Sequence, residues 1–312
     1  MNHLFEHLTI GQMELPNRIV MSPMVSGFAS PDGFVSEDLY NYYLRRAHGG
    51  VGLIISEPIL VAPPVLANQD HLGLYADFFI PQLRRLVRSA HGGGAKILLL
   101  LDAPAEMAEG KTEELATLAE DFIRAAWRAL ATECDGIMLS SANGGVFHTL
   151  LSPILNKRLG DNLSATNRLN LRIRLPIEII ENIYTWLGER IVIGFRLVAE
   201  DFTPGGISLH DARIIAQQLV TVGIKLLDVT ADMSVDAPVA RFPGWCVPLA
   251  TGIKRVVPNT PVIGSGQLGD PHLANSVVRE GSLDLVMLNR TLRLNPYWPH
   301  IARIILQATT PE

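Results

Sequence analysis

Short apolar runs alternate with longer amphipathic stretches along nearly the whole chain. Eight of the runs read as buried parallel strands: positions 18–22, 52–56, 96–101, 135–139, 190–196, 225–230, 261–264 and 283–288. Between them, apolar residues recur at helical spacing, most clearly over 113–132. Ser36, followed by Glu37 and Asp38, predicts a capped helix start with acidic groups at the positive end of the dipole. Ser208 with Asp211 predicts a second start, and Asp270-Pro271 a third, with proline at the first helical position. Helices are also expected over 80–90, after Gly244 and over 297–307. Positions 140–174 carry no regular pattern and read as a long functional loop. The helix after that loop is expected to begin near Leu175, because Pro176 is tolerated only in a first turn.

Eight strand–helix alternations without a linker predict an α/β fold, a (β/α)8 TIM barrel in a single domain over residues 1–312. No G-x-G-x-x-G follows the first strand, which counts against an open doubly wound sheet. Composition narrows the partners. Apolar residues are 48% and charged residues 18%, enough for a large core. The net charge of −5 carries no basic footprint, so no nucleic acid is expected. No apolar run reaches membrane-spanning length, so no membrane is expected either. The N-terminus lacks the basic and apolar regions of a leader, and Cys134 and Cys246 stand far apart. These features predict a cytoplasmic protein acting on a small-molecule substrate; a homo-oligomer is compatible with them.

Chemistry in such a barrel gathers at the C-terminal ends of the strands. Those ends carry Pro23-Met24-Val25, Glu57-Pro58, Asp102, Ser140 with Asn143, Arg196, Asp228 with Thr230, Ser265-Gly266-Gln267 and Asn289-Arg290. None has metal-ligand spacing, so no catalytic metal is expected. Gly266 either lets the backbone approach a phosphate or only serves a turn. Arg290 either forks two donors onto that phosphate or pairs at the surface. Arg196 either bridges to Glu57, Asp102 or Asp228, or contacts an electron-rich ligand. An isomerase or aldolase reading would need a Schiff-base lysine, and Lys225 lies at the wrong end of its strand.

Asn17-Arg-Ile-Val-Met-Ser-Pro-Met, Tyr43 with Arg46-Ala, the run from Gly49 to Glu57, and Ser152-Pro with Asn156-Lys-Arg158 resemble the old yellow enzyme family of flavin-dependent ene-reductases. So do Arg172-Ile-Arg174 with Glu178, Gly194-Phe-Arg196-Leu and the run from Asp284 to Arg290. The resemblance implies FMN as cofactor, NAD(P)H as reductant and an activated alkene as hydride acceptor. It places Pro23, Met24, Val25, Pro58, Leu100, Arg196, Gly266, Gln267, Asn289 and Arg290 around the flavin, with Gly266 and Arg290 on its phosphate. Ser140 and Asn143 fall at the pair that holds the substrate oxygen. Departures accompany the match. Leu100 stands where the family has a flavin-binding Gln, Pro58 has no N–H to donate, and Val25 replaces a polar Thr or Cys. Gly145 stands at the family's proton-donating Tyr, for which Asp102 and His148 are substitutes to weigh, and 160–164 is rewritten. The alternative function is a remodelled barrel with weak or lost flavin chemistry, acting as a binding or accessory protein.

Overall fold

A computed structural model describes residues 2–64, 71–157, 165–232 and 238–308. Eight parallel strands form the barrel: β1 (Ile19–Met21), β2 (Leu53–Ile55), β3 (Lys96–Asp102), β4 (Gly136–Ser140), β5 (Val192–Val198), β6 (Leu226–Thr230), β7 (Val262–Gly264) and β8 (Leu285–Leu288). Each pairs with its chain neighbour, and β8 pairs with β1 to close the ring. Helices follow the strands: α1 (Glu37–His48), α2 (Ile80–Gly92), α3 (Thr112–Ala131), α4 (Val146–Leu151), α5 (Ala165–Leu187), α6 (Leu209–Thr221), α7 (Val247–Lys254), α8 (Pro271–Arg279), α9 (Arg290–Leu294) and α10 (Trp298–Ala308). The expected caps form: Ser36, Ser208 and Asp270 each accept an N–H three residues on.

Strand residues alternate between two cores, as period-two geometry requires. On β5, Ile193, Phe195 and Leu197 pack outward against the helices. Val192 packs inward with Leu98, Leu100, Met138 and Leu226. An antiparallel hairpin, Leu8–Ile10 with Met13–Leu15, caps the N-terminal end of the barrel. Its Ile10, Met13 and Leu15 join the inner core, so apolar packing closes the floor and leaves the mouth for chemistry.

Four segments differ from the sequence expectation. The stretch 140–174 is not one irregular loop, because α4 and the first half of α5 occupy much of it. Pro176 is interior to α5 rather than at its start. The buried positions Leu169, Ile173, Ile180, Ile183 and Leu187 keep helical spacing through the proline, and packing against the barrel outweighs one lost backbone bond. β5 runs past Arg196 to Val198, so that arginine sits within a strand. The short helix α9 begins directly at Arg290. Arg158 and positions 160–164, quoted above, lie outside the described residues. No helix among the described residues is long and apolar enough to cross a membrane.

Candidate functional site

A cleft of about 580 Å³ opens at the mouth, within the usual range for small-molecule sites. It brings together Met24, Asn143, Arg196, Gly266, Gln267, Asn289 and Arg290. Gly266 needs to be glycine for a local reason: φ is +111° and a Cβ would stand 2.7 Å from the Cys246 nitrogen. That close packing carries Trp245 to the cleft wall. Gln267 is also left-handed, at φ 58°, and its Nε2 donates to the Ala240 carbonyl at 2.6 Å. Among the described residues, no acceptor takes the backbone N–H of Gly266, Gln267, Asn289 or Arg290. Nor does any carboxylate pair with the exposed Arg290 guanidinium. Several free donors and two guanidinium groups with no described carboxylate partner, Arg290 and Arg293, suit an anionic group.

Arg196 is buried and its charge is shared with the strand beside it. It lies in register with Asp228 and donates from Nη1 to that carboxylate at 2.5 Å. Of the three carboxylates weighed for it, this is the one it meets. Nη2 reaches Thr230 Oγ1 at 3.5 Å, while Nε has no partner. Burial raises Asp228 above its ordinary value, and the Arg196 charge opposes that. Arg196 also lines the cleft, so the structural and ligand-contact readings coexist.

Other expected residues lie elsewhere. Leu100 is 2% exposed in the inner core, with its N–H donated to Ser56 Oγ at 2.9 Å. Pro23 is buried, Pro58 is half-buried, and neither lines the cleft. Val25 faces an adjoining cavity instead. Ser140 is buried too, and its Oγ accepts the Ala142 N–H at 3.2 Å. That bond shapes the turn carrying Asn143, which is exposed at φ 57°, a left-handed conformation asparagine tolerates.

Among the described residues, no cation stands beside Asp102 at the end of β3. Burial pushes its carboxyl up to about 7, although backbone N–H groups of Ala103 and Val146 act against the shift. It does not pair with Arg196, the bland role weighed for it. His148 is buried in α4, and its Nδ1 accepts the Gly144 N–H at 3.2 Å. The ring proton is thereby assigned to Nε2, which faces Asp201 Oδ1 at 3.6 Å. His148, Asp201 and Asp232 bring ligand-type atoms within 4.8 Å of one another. A metal would need the Nε2 lone pair that this tautomer lacks.

Sequence reasoning passed over Trp245, Thr291 and Arg293 in the cleft wall. Arg293 had a legible signal: it lies three residues after Arg290, one helical turn on. Trp245 had none, because its position depends on the Gly266 contact across the chain.

A profile described as the NADH:flavin oxidoreductase / NADH oxidase family matches residues 3–113 and 103–307. The chain is 34% identical over 333 aligned positions to an NADH oxidase of Thermoanaerobacter brockii, covering 96% of this chain and 50% of that protein. It is 32% identical to an NADPH dehydrogenase of Listeria welshimeri, covering 99% of this chain and 96% of that one. The chain thus spans half of the first relative and nearly all of the second. In three dimensions it is similar to a 2-naphthoyl-CoA reductase, with a TM-score of 0.86 at 20% identity, over 98% of this chain and 52% of that one.

Proposed function

The chain belongs to the NADH:flavin oxidoreductase / NADH oxidase family, and from that premise we propose that it is an FMN-dependent oxidoreductase taking reducing equivalents from NAD(P)H. The observation that carries this reading is the anion cradle at the cleft: free backbone N–H groups at Gly266, Gln267, Asn289 and Arg290, with the unpaired Arg290 guanidinium beside them. Relatives named NADH oxidase and NADPH dehydrogenase support the nicotinamide reductant. Bound in the cleft, FMN would supply hydride transfer to an activated alkene or a related acceptor.

The chain's own residues divide the remaining work. Arg290 and the neighbouring amides hold the phosphate. Arg196, which lines the cleft, places its charge beside an electron-rich part of the ring system, and Asp228 keeps that guanidinium oriented. Met24 supplies an apolar wall. Asn143 presents an amide to the substrate oxygen, from a turn that Ser140 fixes. Asp102, whose carboxyl lies against the turn carrying Asn143 and is pushed up to about 7 by burial, is the candidate proton donor.

A second reading has its own support. With Leu100 in the inner core, the third strand offers no side-chain amide to a flavin. On that reading the barrel binds flavin weakly and serves as a binding protein. An absorbance spectrum of protein purified without added flavin, followed by an FMN titration, separates the two. A visible flavin band that Arg290→Ala removes supports the oxidoreductase. Colourless protein that takes up no FMN sinks it.

A further inference from the structure

A second cavity, of about 690 Å³, lies beside the cleft and shares Met24 and Arg293 with it. Three guanidinium groups line it, those of Arg45, Arg46 and Arg293, against one carboxylate, Asp38. Arg46 is the unusual member, at 5% exposed. Its Nη1 donates to the Tyr42 carbonyl at 2.7 Å and its Nη2 to the Arg293 carbonyl at 3.5 Å. Its Cζ lies 3.4 Å from the centroid of the Tyr42 ring. Its Nε has no partner at all.

Among the described residues, no carboxylate forms an ion pair with Arg45, Arg46 or Arg293. Burial draws the Arg46 guanidinium below its ordinary value; Tyr42 and Tyr43 oppose the shift, and the charge of Arg45 adds a smaller push in the direction of burial. A buried cation without a counter-charge is costly, and like charges around one cavity add to the cost. Both costs fall when an anion enters. Two exposed guanidinium groups and a third, buried one offer more donors than a single carboxylate can accept.

We propose that this cavity binds a phosphoanhydride group, the pyrophosphate type found in nucleotide diphosphates, from a ligand lying alongside the cleft. The site rests on its own residues and not on flavin in the cleft, since Arg45 and Arg46 line the second cavity alone.

The test is calorimetric titration of the full chain with inorganic pyrophosphate at low ionic strength. Wild-type protein is expected to bind it. Arg45→Glu, at an exposed position, should weaken binding roughly tenfold or more, as expected for loss of a charge-assisted contact and reversal of its sign. Arg290→Ala should leave it within a factor of two or so of wild type. Absence of binding to the wild type, or binding lost in Arg290→Ala and kept in Arg45→Glu, would overturn the proposal. FMN uptake is scored separately in both variants, so failure here is distinct from failure of the flavin reading. Competition by ADP would identify a nucleotide as the source of the group. Pyrophosphate binding that ADP does not displace would support the same site with a non-nucleotide source.

Discussion

A Cβ atom on Gly145 would stand 2.5 Å from Oδ1 of Asp102. No side chain can begin at position 145 while that carboxyl stays where it is. The lack of a side chain at 145 leaves room for the desolvated acid at the end of β3. Asp102 is raised from 3.8 to about 7. The unfolded chain releases this proton near pH 4, while the folded protein keeps it until near pH 7. Stability is therefore expected to fall as pH rises across that window, with the loss complete above it. Asp102→Asn should flatten the slope and be more stable at pH 8 by roughly 1–3 kcal/mol. Urea denaturation at pH 5 and pH 8 reads it directly, and an unchanged slope in the variant would refute the assignment.

The buried pair Arg196–Asp228 predicts a strong non-additivity. Arg196→Met alone leaves Asp228 buried and unpaired, and should cost about 3–5 kcal/mol. Adding Asp228→Leu removes the orphaned charge, so the double variant should be more stable than the single one. A double-mutant cycle in guanidinium checks this; simple additivity would mean the pair carries little coupling.

At the anion cradle, Arg290→Ala should weaken FMN about 10- to 100-fold, the loss of one charge-assisted contact. Flavin fluorescence quenching measures it. Thermal stability without flavin should be nearly unchanged, because Arg290 is exposed and no described carboxylate pairs with it.

Pro176→Ala tests the helix that runs through the proline. Alanine restores an N–H to the middle of α5, and removal of an interior proline is worth up to about 3 kcal/mol before the lost packing is subtracted. A rise in Tm of a few degrees is expected. A fall would show that the ring's packing outweighs the missing bond.

Most of the barrel was legible because its signals are local. The run from 262 to 264 is a strand wherever it is placed, and Asp270-Pro271 starts a helix by its own chemistry. Pro176 misled because tertiary burial of Ile173 and Ile180 overrides a local rule. At the site, Gly266 and Arg290 could be named from position alone. The choice between Asp228, Asp102 and Glu57 as partner of Arg196 could not, since it depends on register across two strands. Nor could the space beside Gly145, which is set by where β3 ends relative to the turn before α4.

The pairing of β8 with β1 has a consequence for synthesis. Arg18, just before β1, donates to the Asp284 carbonyl from a residue 266 positions away. The ring cannot seal until β8 has left the ribosome. Until then β1 and the hairpin before it wait with apolar faces uncovered. Chaperone demand should therefore last until β8 emerges, and nascent chains stalled before β8 should be protease-sensitive at their first strand.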